Sequence, residues 1–247
     1  MCSQLVSIIT PCYNASSYIK ETIESVINQT YNNWELIIID DCSTDNSAEI
    51  INSYNDKRIR YFKTETPSGS PALPRNIGIS ESLGQYIAFL DSDDVWYPHK
   101  LETQLRYMSE KGVNFVYSYY RRFYSLDTPG GVIKSPKYAN LNSLKWRDYI
   151  PMLTILIDKD LLVGITFENR PKEDYIFLLQ LFKKGVVAYN TEECVALYRI
   201  VPNSRSSNKY EMLKKHYTLL RNEGFNILES CLYTVTHSFS ALLKYNK

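Results

Sequence analysis

Asp91, Asp93 and Asp94 stand within four residues, directly after the apolar run Tyr86-Ile87-Ala88-Phe89-Leu90. Carboxylates this close repel one another and raise each other's pKa values. A divalent cation relieves that repulsion. Mg²⁺ and Mn²⁺ prefer oxygen ligands and commonly take one or two carboxylates together with substrate phosphates. Held at Asp91-Ser92-Asp93, such an ion would offset the charge of a diphosphate and help it depart. The competing reading is a helix N-terminus, where capping and the helix dipole both favour Asp.

Other clusters have weaker claims by themselves. Asp40 and Asp41 close a second apolar run, and a carboxylate there could accept from a nucleobase imide or a ribose hydroxyl. Asp45 reads mainly as a cap for the helix that follows. Paired aspartates after a strand also occur in phosphoacceptor receiver domains, but this chain continues far past that length. Neither GxGxxG nor GxxxxGK[ST] is present, which weakens the dinucleotide dehydrogenase and P-loop NTPase readings. Diphosphate charge must then be met by metal and by basic residues such as Arg75. Glu173-Asp174 precedes a helical pattern and could take a proton from a hydroxyl; most such pairs are simple dipole partners. The histidines His99, His216 and His237 form no ligand spacing, and packing is the expected role of Cys12 and Cys42.

Positioning these groups requires a sheet. Leu5–Thr10, Glu35–Ile39, Ile59–Lys63 and Tyr86–Leu90 read as strands, the first closed by Pro11. Leu36-Ile37-Ile38-Ile39 is apolar throughout, as in a parallel strand covered on both faces. Helical patterns fall at Tyr18–Asn28 and Asp45–Tyr54, with a short one begun by Pro74 and another at His99–Lys111. The first half is thus β-α-β-α-β-α-β, whose ligands gather at the carboxyl ends of the strands. Pro11-Cys12-Tyr13-Asn14, Asp40-Asp41 and Asp91-Ser92-Asp93-Asp94 are therefore expected on one edge. Further on, Asn114–Tyr120, Thr154–Asp158 and Val186–Tyr189 read as strands, Leu126–Pro136 as a turn-rich loop, and Tyr175–Lys184 as a helix. Lys209–Lys244 reads as two helices parted near Gly224.

A chain of 247 residues with 44% apolar and 22% charged residues can bury a substantial core. The net charge of +1 does not advertise nucleic-acid binding. From Ser204 onward the net is +4, against −3 before it. That basic end could face an anionic lipid surface or be a solvated helical face. Five scattered cysteines without a CxxC pair, and no signal-peptide pattern, make a reducing cytoplasm the expectation. No stretch of about 20 apolar residues suggests a spanning helix.

As a set, the motifs resemble the inverting glycosyltransferases of family 2. The resemblance rests on Val6-Ser7-Ile8-Ile9-Thr10-Pro11-Cys12-Tyr13-Asn14, Ser25-Val26-Ile27-Asn28-Gln29-Thr30 and Glu35–Asp45. Arg75-Asn76-Ile77-Gly78 and Gly84–Asp94 complete it. It covers residues 5–110 closely and residues 150–206 more loosely. It implies an α/β GT-A fold: a mostly parallel central sheet with helices on both faces, plus C-terminal helices. The implied division is a GT-A domain at 1–206, with a nucleotide-sugar half (1–110) and an acceptor half (111–206), and a helical appendage at 207–247. Pro11, Tyr13 and Asn14 would line the donor pocket, Asp41 would read the base, most often uracil, and Arg75 would approach the base or diphosphate. Asp91 would serve ribose and metal alongside Ser92, Asp93 would ligate Mn²⁺ or Mg²⁺, and Asp174 would be the catalytic base. Glu173, Arg199, Arg205 and Trp146 are expected toward the acceptor or diphosphate, with Met152–Leu156 lining the acceptor side.

Two departures matter. Many relatives carry Tyr-Arg-x-His after the base, and here Tyr198-Arg199-Ile200-Val201 has Val201 at the His position. No Q-x-x-R-W motif is found, which favours single addition over processive synthesis. The implied activity is transfer of one sugar from a nucleoside-diphosphate donor, usually UDP-linked, to a glycan or lipid-linked acceptor of bacterial O-antigen or capsule. The implied location is the cytoplasm, with the C-terminal helices able to touch the inner face of the membrane. The rival readings are a non-catalytic nucleotide-sugar-binding protein and a nucleotidyltransferase. The latter should show a Gly-rich basic loop after the first strand, which Pro11–Ala15 is not.

Overall fold

The computed structural model describes residues 4–124, 126, 128–147, 149–201 and 209–245. The first four strands are β1 (Val6–Cys12), β2 (Trp34–Asp40), β3 (Ile59–Lys63) and β4 (Tyr86–Phe89). All run parallel in the order β3-β2-β1-β4, so their carboxyl ends share one edge. The crossovers are α1 (Ile19–Ile27), α2 (Ser47–Asn52) and α3 (Ala72–Glu81). Every residue of β1 and β2 is buried, as the unbroken apolar runs require.

Pro11 does not end β1; it lies inside the strand, opposite Ile39. The reason is its facing. The carbonyl of Ile9 accepts from Leu90 on the β4 side, and that of Cys12 accepts from Asp41 on the β2 side. Pro11 faces as Ile9 does, toward β4, whose pairing with β1 stops at Ile9. The missing N–H therefore breaks no ladder bond.

Beyond β4 come β5 (Val95–Trp96), α4 (Lys100–Lys111), β6 (Phe115–Phe123), β7 (Pro129–Ile133), β8 (Tyr138–Ala139) and α5 (Leu141–Trp146). They are followed by β9 (Leu156–Asp158), α6 (Glu173–Lys183), β10 (Ala188–Arg199), α7 (Lys209–Asn222) and α8 (Ile227–Tyr245). The sheet continues β4-β9-β6-β10-β5, with β9 antiparallel to both neighbours and β6 parallel to β10. This is the mostly parallel α/β sheet with helices around it that the sequence implied. The expected loop at Leu126–Pro136 instead contains β7, because Pro129, Val132 and Ile133 pair antiparallel with β6, with Gly130 and Gly131 taken up in an irregularity between them. The expected strand Val186–Tyr189 is the start of the much longer β10, whose two bulges carry it past polar Thr191-Glu192-Glu193.

One core lies on each face. Ile9, Ile37, Ile39, Ile87 and Phe89 pack with α6, and with Leu219 and Leu220 of α7. Their neighbours Ile8, Leu36, Ile38 and Ala88 pack against α1 and α4 on the other face. Gly78 lets α3 lie directly on the sheet, since a Cβ there would fall 2.4 Å from Ile9 Cγ2.

Candidate active site

The acidic loop is a turn at the end of β4, not a helix start; α4 begins only at Lys100. The Asp94 N–H donates to the Asp91 carbonyl at 3.1 Å. From α1, the Thr22 hydroxyl reaches the carbonyls of Ser92 (3.0 Å) and Asp94 (2.9 Å). From β10, Arg199 clamps the loop: its N–H donates to Asp94 Oδ1 (2.8 Å) and its Nε to the Asp93 carbonyl (2.6 Å). The Arg199 guanidinium also donates to Glu21 at 2.6 Å and lies over the rings of Phe123 and Tyr18. Arg199 thus holds the loop's shape, with its charge turned to Glu21.

The three carboxylates are unequally compensated. Asp94 is buried, and burial first, then Asp93 and Asp91, push its pKa well above the carboxylate range. Burial and the neighbouring Asp91 push Asp93 up to about 6. Asp91 takes a hydrogen bond from Arg75 at 2.7 Å. Asp93 has no ion pair among the described residues. Among those residues no group of three His, Cys, Asp or Glu could hold a metal unaided. An all-oxygen set with one uncompensated carboxylate suits a hard dication that also draws ligands from phosphate.

Arg75, on α3, is the hub. It is only 2% exposed, yet it meets Asp91 at 2.7 Å, Asp174 at 2.5 Å and Glu173 at 4.0 Å. Burial opposes its charge, but Asp174, Asp91 and Glu173 together hold its pKa above the ordinary value. The ring of Phe167 lies 5.2 Å from the guanidinium carbon. That ring is fixed by Asn76, whose side chain bonds both the N–H and the C=O of Phe167 at 2.8 Å. A single buried cation therefore joins the acidic loop of β4 to the first turn of α6. The Asp174 side chain remains 41% exposed, so it can meet a ligand.

On the β1–β2 side, the Asp41 carboxylate accepts from Ser68 N–H (2.9 and 3.0 Å), Ser68 Oγ (2.8 Å) and Thr64 Oγ1 (3.1 Å). Asn14 joins the two loops: Thr44 N–H donates to its Oδ1 at 2.8 Å, and its own N–H donates to Ser43 Oγ. Pro11 is buried beneath them, and Tyr13 is 53% exposed at the rim. Asp45 ties both loops through Ser16 and Ser47, whose hydrogen bonds outweigh burial and hold its pKa down to about 2. Burial first, then Asp40, raises the Cys12 thiol to about 12, consistent with a packing role.

Trp146 is half-exposed and stands edge-on to Tyr233 of α8, with ring centroids 5.0 Å apart. Val201 lies just past β10, and Arg205 lies outside the described residues. Sequence reasoning passed over Thr22, Glu21, Asn76 and Phe167. Asn76 stood inside a quoted motif, but the partners of all four are distant in sequence, and no local pattern marks them.

Comparison with known proteins supplies what geometry does not. Residues 7–161 match the family described as Glycosyl transferase family 2. The chain is 38% identical to "Putative teichuronic acid biosynthesis glycosyltransferase TuaG" of Bacillus subtilis, across 97% of both chains. It is 35% identical to "UDP-Glc:alpha-D-GlcNAc-diphosphoundecaprenol beta-1,3-glucosyltransferase WfgD" of Escherichia coli, over 98% of this chain and 95% of that one. Among solved structures, S. aureus TarS 1-349 in complex with UDP-GlcNAc superposes with a TM-score of 0.73 at 20% identity, covering 91% of this chain and 69% of that one. The mannosyltransferase PcManGT from Pyrobaculum calidifontis, in complex with GDP-Man and Mn²⁺, gives 0.66 at 16% identity, with 93% and 69% covered. At those identities the likeness shows a shared fold, that of GT-A glycosyltransferases.

Proposed function

The chain belongs to glycosyl transferase family 2, and from that premise we propose an inverting, metal-dependent enzyme that moves one sugar from a UDP-sugar to a glycan or lipid-linked acceptor of a bacterial surface polysaccharide. The observation that carries this reading is the Arg75 bridge, which sets a candidate base, Asp174, beside the acidic turn on one buried cation.

In the proposed reaction, residues 1–110 hold the donor and 111–206 the acceptor, with 207–247 appended. Tyr13 stacks at the base, above Pro11 and Asn14. Asp41 meets the base N–H, exchanging a bond it now receives from Ser68. Asp91 and Ser92 lie toward the ribose. Asp93, with Asp91, would hold Mn²⁺ or Mg²⁺, and the bound ion would offset the diphosphate charge as the sugar leaves. PcManGT, solved in complex with GDP-Man and Mn²⁺, supports a divalent ion in this fold.

Arg75 orients Asp174 and keeps the two acidic groups from repelling each other. Asp174 takes the proton from an acceptor hydroxyl. The hydroxyl oxygen bonds to the anomeric carbon as the bond to the diphosphate breaks, its electron pair leaving on the diphosphate oxygen. One in-line displacement inverts the centre, and alignment supplies much of the rate. Glu173 adds negative charge beside Arg75 on the acceptor side. The names of TuaG and WfgD support a surface polysaccharide context and, for WfgD, an acceptor carried on a lipid diphosphate.

The C-terminal helices fit contact with a membrane face. Along α8, Leu228 is 82% exposed and Val235 64%, with Ile227 and Leu232 also exposed, while Ser230 and Thr234 are buried. A helix that turns apolar residues outward suits an interfacial site. No described helix is long and apolar enough to cross a membrane.

The test is a donor screen by UDP release with Mn²⁺ and Mg²⁺ and a lipid-diphosphate sugar acceptor. Turnover with at least one UDP-sugar, abolished by chelation, is the expected result. Failure of every nucleotide sugar to bind or turn over would overturn the reading.

A further inference from the structure

Beside the loop that leads to Asp174 lies a cavity of about 260 Å³, lined by Arg170, Pro171, Lys214, Lys215, Thr218 and Asn222, with Leu219 at its base. It lies outside the Arg75 cluster. That volume is below the roughly 300–1,000 Å³ of drug-sized sites, so it suits a small group and not a nucleotide sugar.

Its charge is lopsided. Arg170 pairs with Glu168 and Glu223, and Glu223 also takes Lys183, so that group is balanced internally. Lys214 and Lys215 have no carboxylate partner among the described residues, and they sit with Thr218 and Asn222 along one side of α7. Two ammonium groups, a hydroxyl and an amide stand among the largely apolar surface of the cavity, donors that suit phosphate oxygens.

The cavity is also tied to the reaction centre. Pro171 lines it and precedes Asp174 by three residues, a chain span of at most about 10 Å. α7 is docked there by Lys172 Nζ, 2.9 Å from His216 Nδ1, and by the edge contact of His216 with Tyr175. Three residues of chain therefore link the cavity lining to the candidate base.

We propose that this cavity binds the phosphate or diphosphate through which the acceptor sugar is carried. The inference rests on the transferase reading above and extends it to a recognition site on α7. Lys214 and Lys215 face a negative charge on each phosphorus, Thr218 and Asn222 donate to the remaining oxygens, and the adjacent α8 stripe lies toward the lipid.

The test uses the full chain, without donor or metal, titrated calorimetrically with geranyl diphosphate. The K214E/K215E variant should weaken binding about tenfold or more, and K214R/K215R should retain it. UDP–Mn²⁺ affinity should stay within about twofold in both, which also reports an intact fold. Equal geranyl diphosphate binding by wild type and K214E/K215E would overturn the proposal, as would loss of binding confined to phosphatidylglycerol vesicles. If UDP fails to bind the wild type, the transferase reading falls, whereas the geranyl diphosphate arm reads the cavity by itself.

Discussion

Two groups of positive charge, Arg75 and the Lys214-Lys215 pair, are built oppositely. Arg75 is almost wholly buried and surrounded by Asp91, Asp174 and Glu173. Lys214 and Lys215 line an open cavity, with no ion pair among the described residues. The first cation is satisfied by the protein and fixes its geometry. The second pair faces solvent and, in the proposal above, meets a ligand. Charge compensation, more than charge itself, separates a structural hub from a binding surface.

The largest effect that bears on this contrast is expected from Arg75→Met. It leaves carboxylates facing one another in a partly exposed space, at a cost of about 1–3 kcal/mol in stability. Turnover should fall roughly a thousandfold. Denaturant melts with parallel UDP-release rates check this; a stable, active variant would remove the hub from the account. By contrast, K214E/K215E should shift stability by no more than about 0.5 kcal/mol, as for ordinary surface changes. A large loss in the same melts would make the lysines structural and erase the distinction.

A smaller effect concerns Asp93. Burial first, and then Asp91, raise its pKa from 3.8 to about 6. The folded metal-free protein therefore holds that proton where the unfolded chain has lost it. This contribution to stability is complete below 3.8 and is lost as pH rises through about 6. Metal binding needs the ionised form, so Mn²⁺ affinity should move the other way, climbing up to about tenfold per unit below pH 6 and levelling above it. Mn²⁺ titrations in the presence of UDP at pH 5, 6 and 7 read this directly, and a flat profile would take Asp93 out of the metal site.

Much of the fold was legible because residues 5–110 are written in local patterns. Apolar strands, amphipathic helices and polar strand ends follow one another, and parallel pairing then brings Tyr13, Asp41 and Asp91 to one edge. The later half was harder to read. Leu156–Asp158 fell within an expected strand, but β8 is two residues long and β7 is interrupted by two glycines, so each of these is a strand only through its pairing partner. The site was legible in its types and not in its contacts. Arg75 was expected near base or diphosphate, but its partner Asp174 is 99 residues away in sequence. Arg199 was expected toward acceptor or diphosphate, and its bonds run to the acidic loop and to Glu21, 178 residues distant. Lys214 and Lys215 registered only as part of a basic C-terminal end. Their meaning depends on α7 docking beside Pro171, which no spacing encodes.

The central claim is that Asp174 takes the acceptor proton while the acidic turn holds the donor. Asp174→Asn tests it most directly, with turnover and UDP-sugar affinity measured on the same preparation in Mn²⁺. The account predicts turnover reduced by about 10²–10⁴-fold, with donor affinity within about twofold of wild type. Turnover that survives the substitution, or donor binding lost along with it, would contradict the division of labour between Asp174 and Asp91-Ser92-Asp93.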